Sequence, residues 1–262
     1  MTTPSDHLND ELLTVWEALV GAFTEARVER REGYVFLSYP RFPSPTMNGI
    51  WSLGDNPAAA RDLTSALDEI EAMGVTPGVV VRDHEAPALE EEARRLGLTE
   101  PHRVPGMIAT AASFRPTDAA GIDVVSARTP ALLGQALDVA AAGFGFPREW
   151  AEEFYSPGVL ERGLTVYLGL ADGRPVTTAV ACRTATSVGI FNVATPPEER
   201  RRGYGAAVTS RAAANGLAEG AESVWLQASG MGDNVYRRLG FEQVSTYELW
   251  VRSGTDTANV GF

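Results

Sequence analysis

The heptad Glu92-Ala93-Arg94-Arg95-Leu96-Gly97-Leu98 is echoed by Val235-Tyr236-Arg237-Arg238-Leu239-Gly240-Phe241, at an offset of 143. Both end a helix-like stretch on a glycine, a residue suited to the left-handed turn that closes a helix. The same offset, carried without gaps, lays an apolar strand at 79–81 over 222–224 and a helix at 57–73 over 200–216. A strand, helix, strand, helix, glycine and strand thus recur in order, the pattern of an internal duplication. The chain is therefore expected to fold as two copies of one α/β unit. The boundary falls in the polar 116–121 segment, giving domains at 1–118 and 119–262.

Periodicity places strands at 34–39, 48–52 and 78–82, a helix at 86–96 and a strand near 105–112. In the later half it predicts strands at 164–170, 175–182, 187–194, 223–228 and 243–251. Helices are predicted there at 130–142, 147–155, 204–218 and 233–239. Glycine and proline punctuate the junctions, as at Asp172-Gly173 and Pro196-Pro197.

Composition removes several chemistries. All 22 basic residues are arginine, so neither Schiff-base lysine chemistry nor a lysine phosphate loop is available. His7, His84 and His102 all precede residue 103, which excludes a zinc site or a Ser-His-Asp triad built within the later half. No metal is expected. The net charge of −12, with −9 falling in residues 1–120, disfavours nucleic acid as a partner. No apolar run is long enough to span a bilayer, and the acidic N-terminus lacks the basic start of a signal peptide. The lone cysteine, Cys182, allows no internal disulfide and reads as a packed small hydrophobe within a strand. A cytoplasmic protein with no membrane partner is the expectation.

The densest stretch runs Asn192-Val193-Ala194-Thr195-Pro196-Pro197-Glu198-Glu199-Arg200-Arg201-Arg202-Gly203-Tyr204-Gly205-Ala206-Ala207. An apolar strand ends, a proline turn follows, and small residues open a helix. Glycines let backbone approach a ligand, and a helix start offers unpaired N–H groups and a positive dipole end. With three arginines this makes a site for a pyrophosphate; the plainer reading is a solvated basic helix start.

These residues resemble the signature of the GNAT superfamily of N-acyltransferases, Arg/Gln-x-x-Gly-x-Gly/Ala after a strand, met by Arg200, Gly203 and Gly205. A second family mark, Tyr-x-x-x-Gly-Phe, is present from Tyr236 to Phe241. The resemblance covers about 122–251, with a weaker likeness of layout in the first half. It implies an α/β fold of two tandem acyl-CoA N-acyltransferase-like modules, each a mixed central β-sheet flanked by helices. It implies acetyl-CoA as co-substrate, with the pyrophosphate on the loop Arg200, Arg201, Arg202, Gly203, Tyr204, Gly205 and Ala206. The pantetheine arm would pair with the backbone of Val193 and Thr195, where the strand splays from its neighbour, and freed N–H groups there would polarise the thioester carbonyl.

Tyr236 would assist departure of the CoA sulfur, since a phenol can donate a proton or hydrogen bond to a leaving thiolate; its plainer role is packing between Val235 and Leu239. The family often carries a glutamate base on the strand at 188–194, where this chain has none. A water held by Asn192, a carboxylate from elsewhere, or binding of a neutral amine are the open routes. Ser229 stands where the family often has asparagine, either bonding CoA or capping a helix. Trp150 and Phe154, with Glu149, Glu152 and Glu153 nearby, suit an apolar cation or an ordinary amphipathic helix. At the 143 offset Pro57, Ala60, Asp62 and Ala93 replace Arg200, Gly203, Gly205 and Tyr236, so the first copy should be degenerate and structural. The activity implied is N-acetylation of a small-molecule or peptide amine. The alternative is a non-catalytic acyl-CoA-binding or partner-binding module. A dinucleotide-binding reading fails, because Val208 occupies the third glycine position.

Overall fold

The computed structural model describes residues 3–99 and 101–255. They fall into two compact units. The early unit takes the described residues of Trp16–Pro105 and Ser245–Gly261, the late unit those of Met1–Val15 and Gly106–Val244. Helix α1 (Pro4–Leu19) thus contributes its first residues to the late unit and its last to the early one.

In the early unit, β1 (Arg27–Arg31), β2 (Tyr34–Ser38) and β3 (Asn48–Ser52) form an antiparallel meander. Helix α2 (Pro57–Glu71) carries the chain to β4 (Gly78–Arg82), which lies parallel to β3. Every residue of β2, β3 and β4 is buried, which is why they read as near-continuous apolar runs. Ala59, Leu63, Ala66, Leu67 and Ile70 of α2 recur at three- and four-residue steps and are buried on one face. Each of the larger three contributes about 1.5–3 kcal/mol by leaving water. Helix α3 (Pro87–Arg95) closes at Gly97, φ +81°, where the Leu98 N–H donates to the Ala93 carbonyl at 3.0 Å.

Strand β5 (His102–Thr110) begins in the early unit and ends in the late one. The late unit continues with β6 (Ile122–Ser126), α4 (Pro130–Phe144), α5 (Pro157–Glu161), β7 (Leu164–Ala171), β8 (Arg174–Arg183) and β9 (Ser187–Ala194). Strands β6 to β9 pair antiparallel in sequence order. Helix α6 (Tyr204–Ala218) then leads to β10 (Ser223–Gln227), parallel to β9 and antiparallel to residues 106–110 of β5. Val208, Ala212 and Ala213 of α6 share one core with Ile190, Val224 and Leu226. Helix α7 (Asp233–Arg238) ends as α3 does: Gly240 has φ +86° and the Phe241 N–H donates to the Tyr236 carbonyl at 3.0 Å. The echoed heptads are thus two uses of one helix-ending motif. Strand β11 (Glu242–Trp250) follows, and its residues 247–250 pair antiparallel with β4 in the early unit.

Each unit therefore takes its last antiparallel strand from the other half of the sequence, β11 in one and β5 in the other. The compact units accordingly depart from a cut at 118/119, because residues 106–118 cluster with the late unit and 245–255 with the early one. Residues 148–155 form a 3-10 stretch in place of the expected α-helix. Among the described residues, no helix is long and apolar enough to cross a membrane.

Candidate active site

All the site residues expected from sequence lie in the late unit. Its centre is the end of β9. Pairing with β8 slips between Val180↔Phe191 and Thr178↔Ala194, so an extra residue bulges out around Asn192. Asn192 itself has φ +50°, a left-handed conformation that asparagine tolerates better than most side chains. On the other side the ladder to β10 stops at Ile190↔Leu226, while β9 runs on to Ala194. The expected splay is present, and the strand end carrying Val193 is released from β10. Gly143 of α4 packs against this end: a Cβ there would lie 2.9 Å from the Ala194 Cβ and 3.1 Å from the Thr195 nitrogen.

The loop after β9 is held by buried charge. Glu199 is 8% exposed and pairs with Arg174 at 3.3 Å and Arg202 at 3.0 Å. Arg200 donates from Nε to the Thr195 carbonyl at 3.0 Å and from Nη2 to the Gly143 carbonyl at 2.7 Å. Both Arg200 and Arg202 therefore fasten the loop to its own scaffold. Arg201 differs. It is exposed, has φ +64°, and forms no ion pair with the described residues.

Gly203, at φ +84°, is the N-cap of α6, and no side chain caps that helix. The first bond closing onto the cap is from the Ala207 N–H to the Gly203 carbonyl at 3.0 Å. The N–H groups of Tyr204, Gly205 and Ala206 have no intrahelical acceptor, the arrangement that favours an anion. The Tyr204 side chain turns inward, buried with Ala171 and Val176. Its expected contribution is thus confined to its amide. Thr195 hydrogen-bonds Thr177 through their hydroxyls at 2.9 Å, and a Cβ on Gly205 would lie 3.5 Å from the Thr195 Oγ1.

Tyr236 is 7% exposed and meets Phe241 edge-on with ring centroids 6.0 Å apart. Its hydroxyl forms no hydrogen bond with the described residues. Burial of the ring pushes its pKa up to about 12. The ring sits over Gly232, where a Cβ would lie 2.6 Å from the Tyr236 Cε2. Ser229 is exposed, and its carbonyl accepts the Gly232 and Asp233 N–H groups at 2.8 and 3.1 Å, just before α7.

Asn192 lies against the hydroxyl of Tyr155, a residue that sequence reasoning passed over. Burial raises the Tyr155 pKa, with contacts from Asn192 and Thr178 opposing. The Tyr155 hydroxyl is sealed and lacks a well-formed hydrogen bond. The 3-10 winding of 148–155 places like-facing residues three apart, which separates Trp150 from Phe154. Phe154 is buried at 5%, and Trp150 stacks on Phe146 at 6.5 Å. Glu152 pairs with Arg148 at 3.0 Å. Burial first, and Glu11 second, push the Cys182 thiol up to about 11, as befits a packed residue. Glu199, Gly143 and Gly232 went unremarked in the sequence because their roles depend on what lies opposite them in space.

Known proteins resemble this chain in fold. Residues 167–251 match the family model described as FR47-like protein. A GCN5-related N-acetyltransferase from Kribbella flavida superposes with a TM-score of 0.74 at 20% identity, covering 99% of each chain. A GCN5-related N-acetyltransferase from Sphaerobacter thermophilus gives a TM-score of 0.62 at 18% identity, covering 95% of this chain and 87% of that one. A tandem GNAT protein from the clavulanic acid biosynthesis pathway gives 0.56 at 15% identity, covering 81% and 77%. No curated protein matches significantly. The chain has the fold of the GNAT superfamily.

Proposed function

We propose that the late unit is an acyl-CoA-dependent N-acyltransferase that uses acetyl-CoA and transfers the acetyl group to an amine by direct aminolysis. The observation that carries this reading is the released end of β9 leading into the uncapped start of α6. Backbone of Val193 and Thr195 pairs with the pantetheine arm, and the amides of Tyr204, Gly205 and Ala206 take the pyrophosphate, with Arg201 adding charge. Free N–H groups at the β9 bulge face the oxyanion that forms as the amine attacks the thioester carbonyl. The amine nitrogen bonds to carbon, its proton passes to water held by Asn192, and the sulfur leaves toward the Tyr236 hydroxyl. Ser229, exposed beside this helix, bonds CoA. The acceptor is a small-molecule or peptide amine.

The early unit serves as a structural partner. Its helix α2 begins on Asn56, whose side chain accepts the Ala58 N–H at 2.9 Å, so the place of an anion is filled internally. Gly203 caps α6 where Asn56 caps α2, an offset of 147 that replaces 143 at the helix start. The loop before α6 is longer, running from 195 to 203 against 53 to 56 in the early unit, and the run from helix start to closing glycine is shorter, 204 to 240 against 57 to 97. Calorimetry with acetyl-CoA should accordingly find one site per chain; two equivalent sites would contradict the structural role of the early unit.

Gly232→Ala should disturb the tyrosine without touching the loop, because the new methyl meets the Tyr236 ring. Acetyl-CoA affinity should stay within about threefold of the native value, while the single-turnover rate falls about tenfold. An unchanged rate would separate the Tyr236 position from the chemistry.

A further inference from the structure

Three donor atoms converge in the early unit, away from the residues used above. The turn after β4 holds Asp83 and His84 in left-handed conformations, φ +49° and +58°. It is fastened by the Asp83 N–H to the Thr246 carbonyl at 2.8 Å and by the Thr246 N–H to the Asp83 carboxylate at 2.6 Å. This places the His84 Nδ1 3.4 Å from Glu90 Oε1 on α3 and 3.1 Å from Glu248 Oε2 on β11. The three atoms lie within 4.8 Å of one another.

Both carboxylates are sealed, with side chains 6% and 1% exposed. Arginines hold their outer oxygens: Arg94 Nη2 reaches Glu90 Oε2 at 3.0 Å, and Arg103 Nε reaches Glu248 Oε1 at 3.0 Å. The inner oxygens, Glu90 Oε1 and Glu248 Oε2, accept no hydrogen bond from the described residues and face only the His84 ring. Buried carboxylate oxygens without a donor are costly. Their spacing suggests what satisfies them. Ligands around a tetrahedral ion with bonds of about 2.0–2.1 Å stand about 3.3 Å apart, the range that His84 shows to both glutamates.

We propose that the early unit binds a divalent transition-metal ion of the zinc type through His84 Nδ1, Glu90 Oε1 and Glu248 Oε2, with water completing the shell. The two arginines orient the carboxylates from outside the shell, as outer partners of metal ligands do. Their side chains are 56% and 65% exposed, so solvent screens their repulsion of the ion. The ion ties α3, the β4–α3 turn and β11 together, and β11 comes from the far half of the sequence. The absence of histidine after residue 103 excludes a zinc site made by the later half alone; the strand brings Glu248 to a histidine of the earlier half.

The test uses the full chain, stripped with a chelator and titrated with zinc by calorimetry and thermal melts. One zinc per chain should bind, raising the melting temperature by about 3 °C or more at saturation. His84→Asn suits the test because the side chain is exposed and asparagine tolerates the left-handed backbone. It should melt like the zinc-free native protein and lose at least about tenfold in zinc affinity. Glu248→Gln should lose affinity likewise. Absence of a saturable zinc site overturns the proposal. Native zinc affinity in the folded His84→Asn chain, or magnesium binding as tightly as zinc, does so equally.

Discussion

Gly203→Asp should reduce acetyl-CoA affinity by about a hundredfold or more, the largest binding effect expected of any single change in this chain. Two causes act together. Gly203 sits at φ +84°, where an L-residue costs about 1 kcal/mol of fold stability, and its carboxylate would face the amides proposed to meet a pyrophosphate. Gly203→Asn separates them, because asparagine imposes similar strain with no charge. That control should lose less than about tenfold, the difference being the charge repulsion. Calorimetry on both variants, with thermal melts to confirm folding, reads the two contributions. Near-native affinity in a folded Gly203→Asp protein would move the anion site elsewhere.

Tyr236→Phe should leave folding and acetyl-CoA affinity near native and lower the single-turnover rate by about a hundredfold, the low end for assisted proton transfer. Phenylalanine preserves the edge contact with Phe241 and removes only the hydroxyl. The low end is expected because burial holds the phenol pKa up to about 12, making it a weaker acid than free tyrosine. Its pH behaviour follows from the sign of that shift. A raised pKa keeps the donor protonated throughout the range from about pH 7 to 10, so Tyr236 adds no falling limb there. The rate should rise as the amine loses its proton and then level off. A rate unaltered in Tyr236→Phe makes the residue a packing group.

Much of the fold was legible because its buried strands leave a simple trace. Strands β2, β3 and β4 are sealed on both faces and read as apolar runs, and α2 shows its stripe at Leu63, Leu67 and Ile70. What escaped lacked such a trace. Strand β1 reads Arg-Val-Glu-Arg-Arg, and its half-exposed arginines are stabilised by Glu29 and Glu69, which no local pattern announces. The exchange of β5 and β11 was illegible for a different reason: a strand's sequence fixes its burial and leaves its partner open.

The site divides in the same way. The glycine at the start of α6 and the tyrosine before Gly240 were readable, since their use is local. The 143 offset was right at Gly240 and four residues out at the helix start, because the run from Tyr204 to Gly240 is four residues shorter than that from Pro57 to Gly97. Arg200 reads as a phosphate ligand, and its contacts to the Gly143 and Thr195 carbonyls were not legible. Such contacts depend on residues distant in sequence. Tyr155 beside Asn192 was hidden likewise.

The most direct measurement of the central claim is release of free CoA thiol from acetyl-CoA in the presence of a panel of amines covering polyamines, amino acids, aminoglycosides and peptide N-termini. Amine-dependent thiol release is expected with at least one class, matched by an equal amount of N-acetylated product. The same signal should fall in Tyr236→Phe and in Gly203→Asp, the first through rate and the second through binding. Saturable acetyl-CoA binding at one site per chain, with no thiol release above the buffer rate for any amine class, would contradict it and make the late unit a binding module.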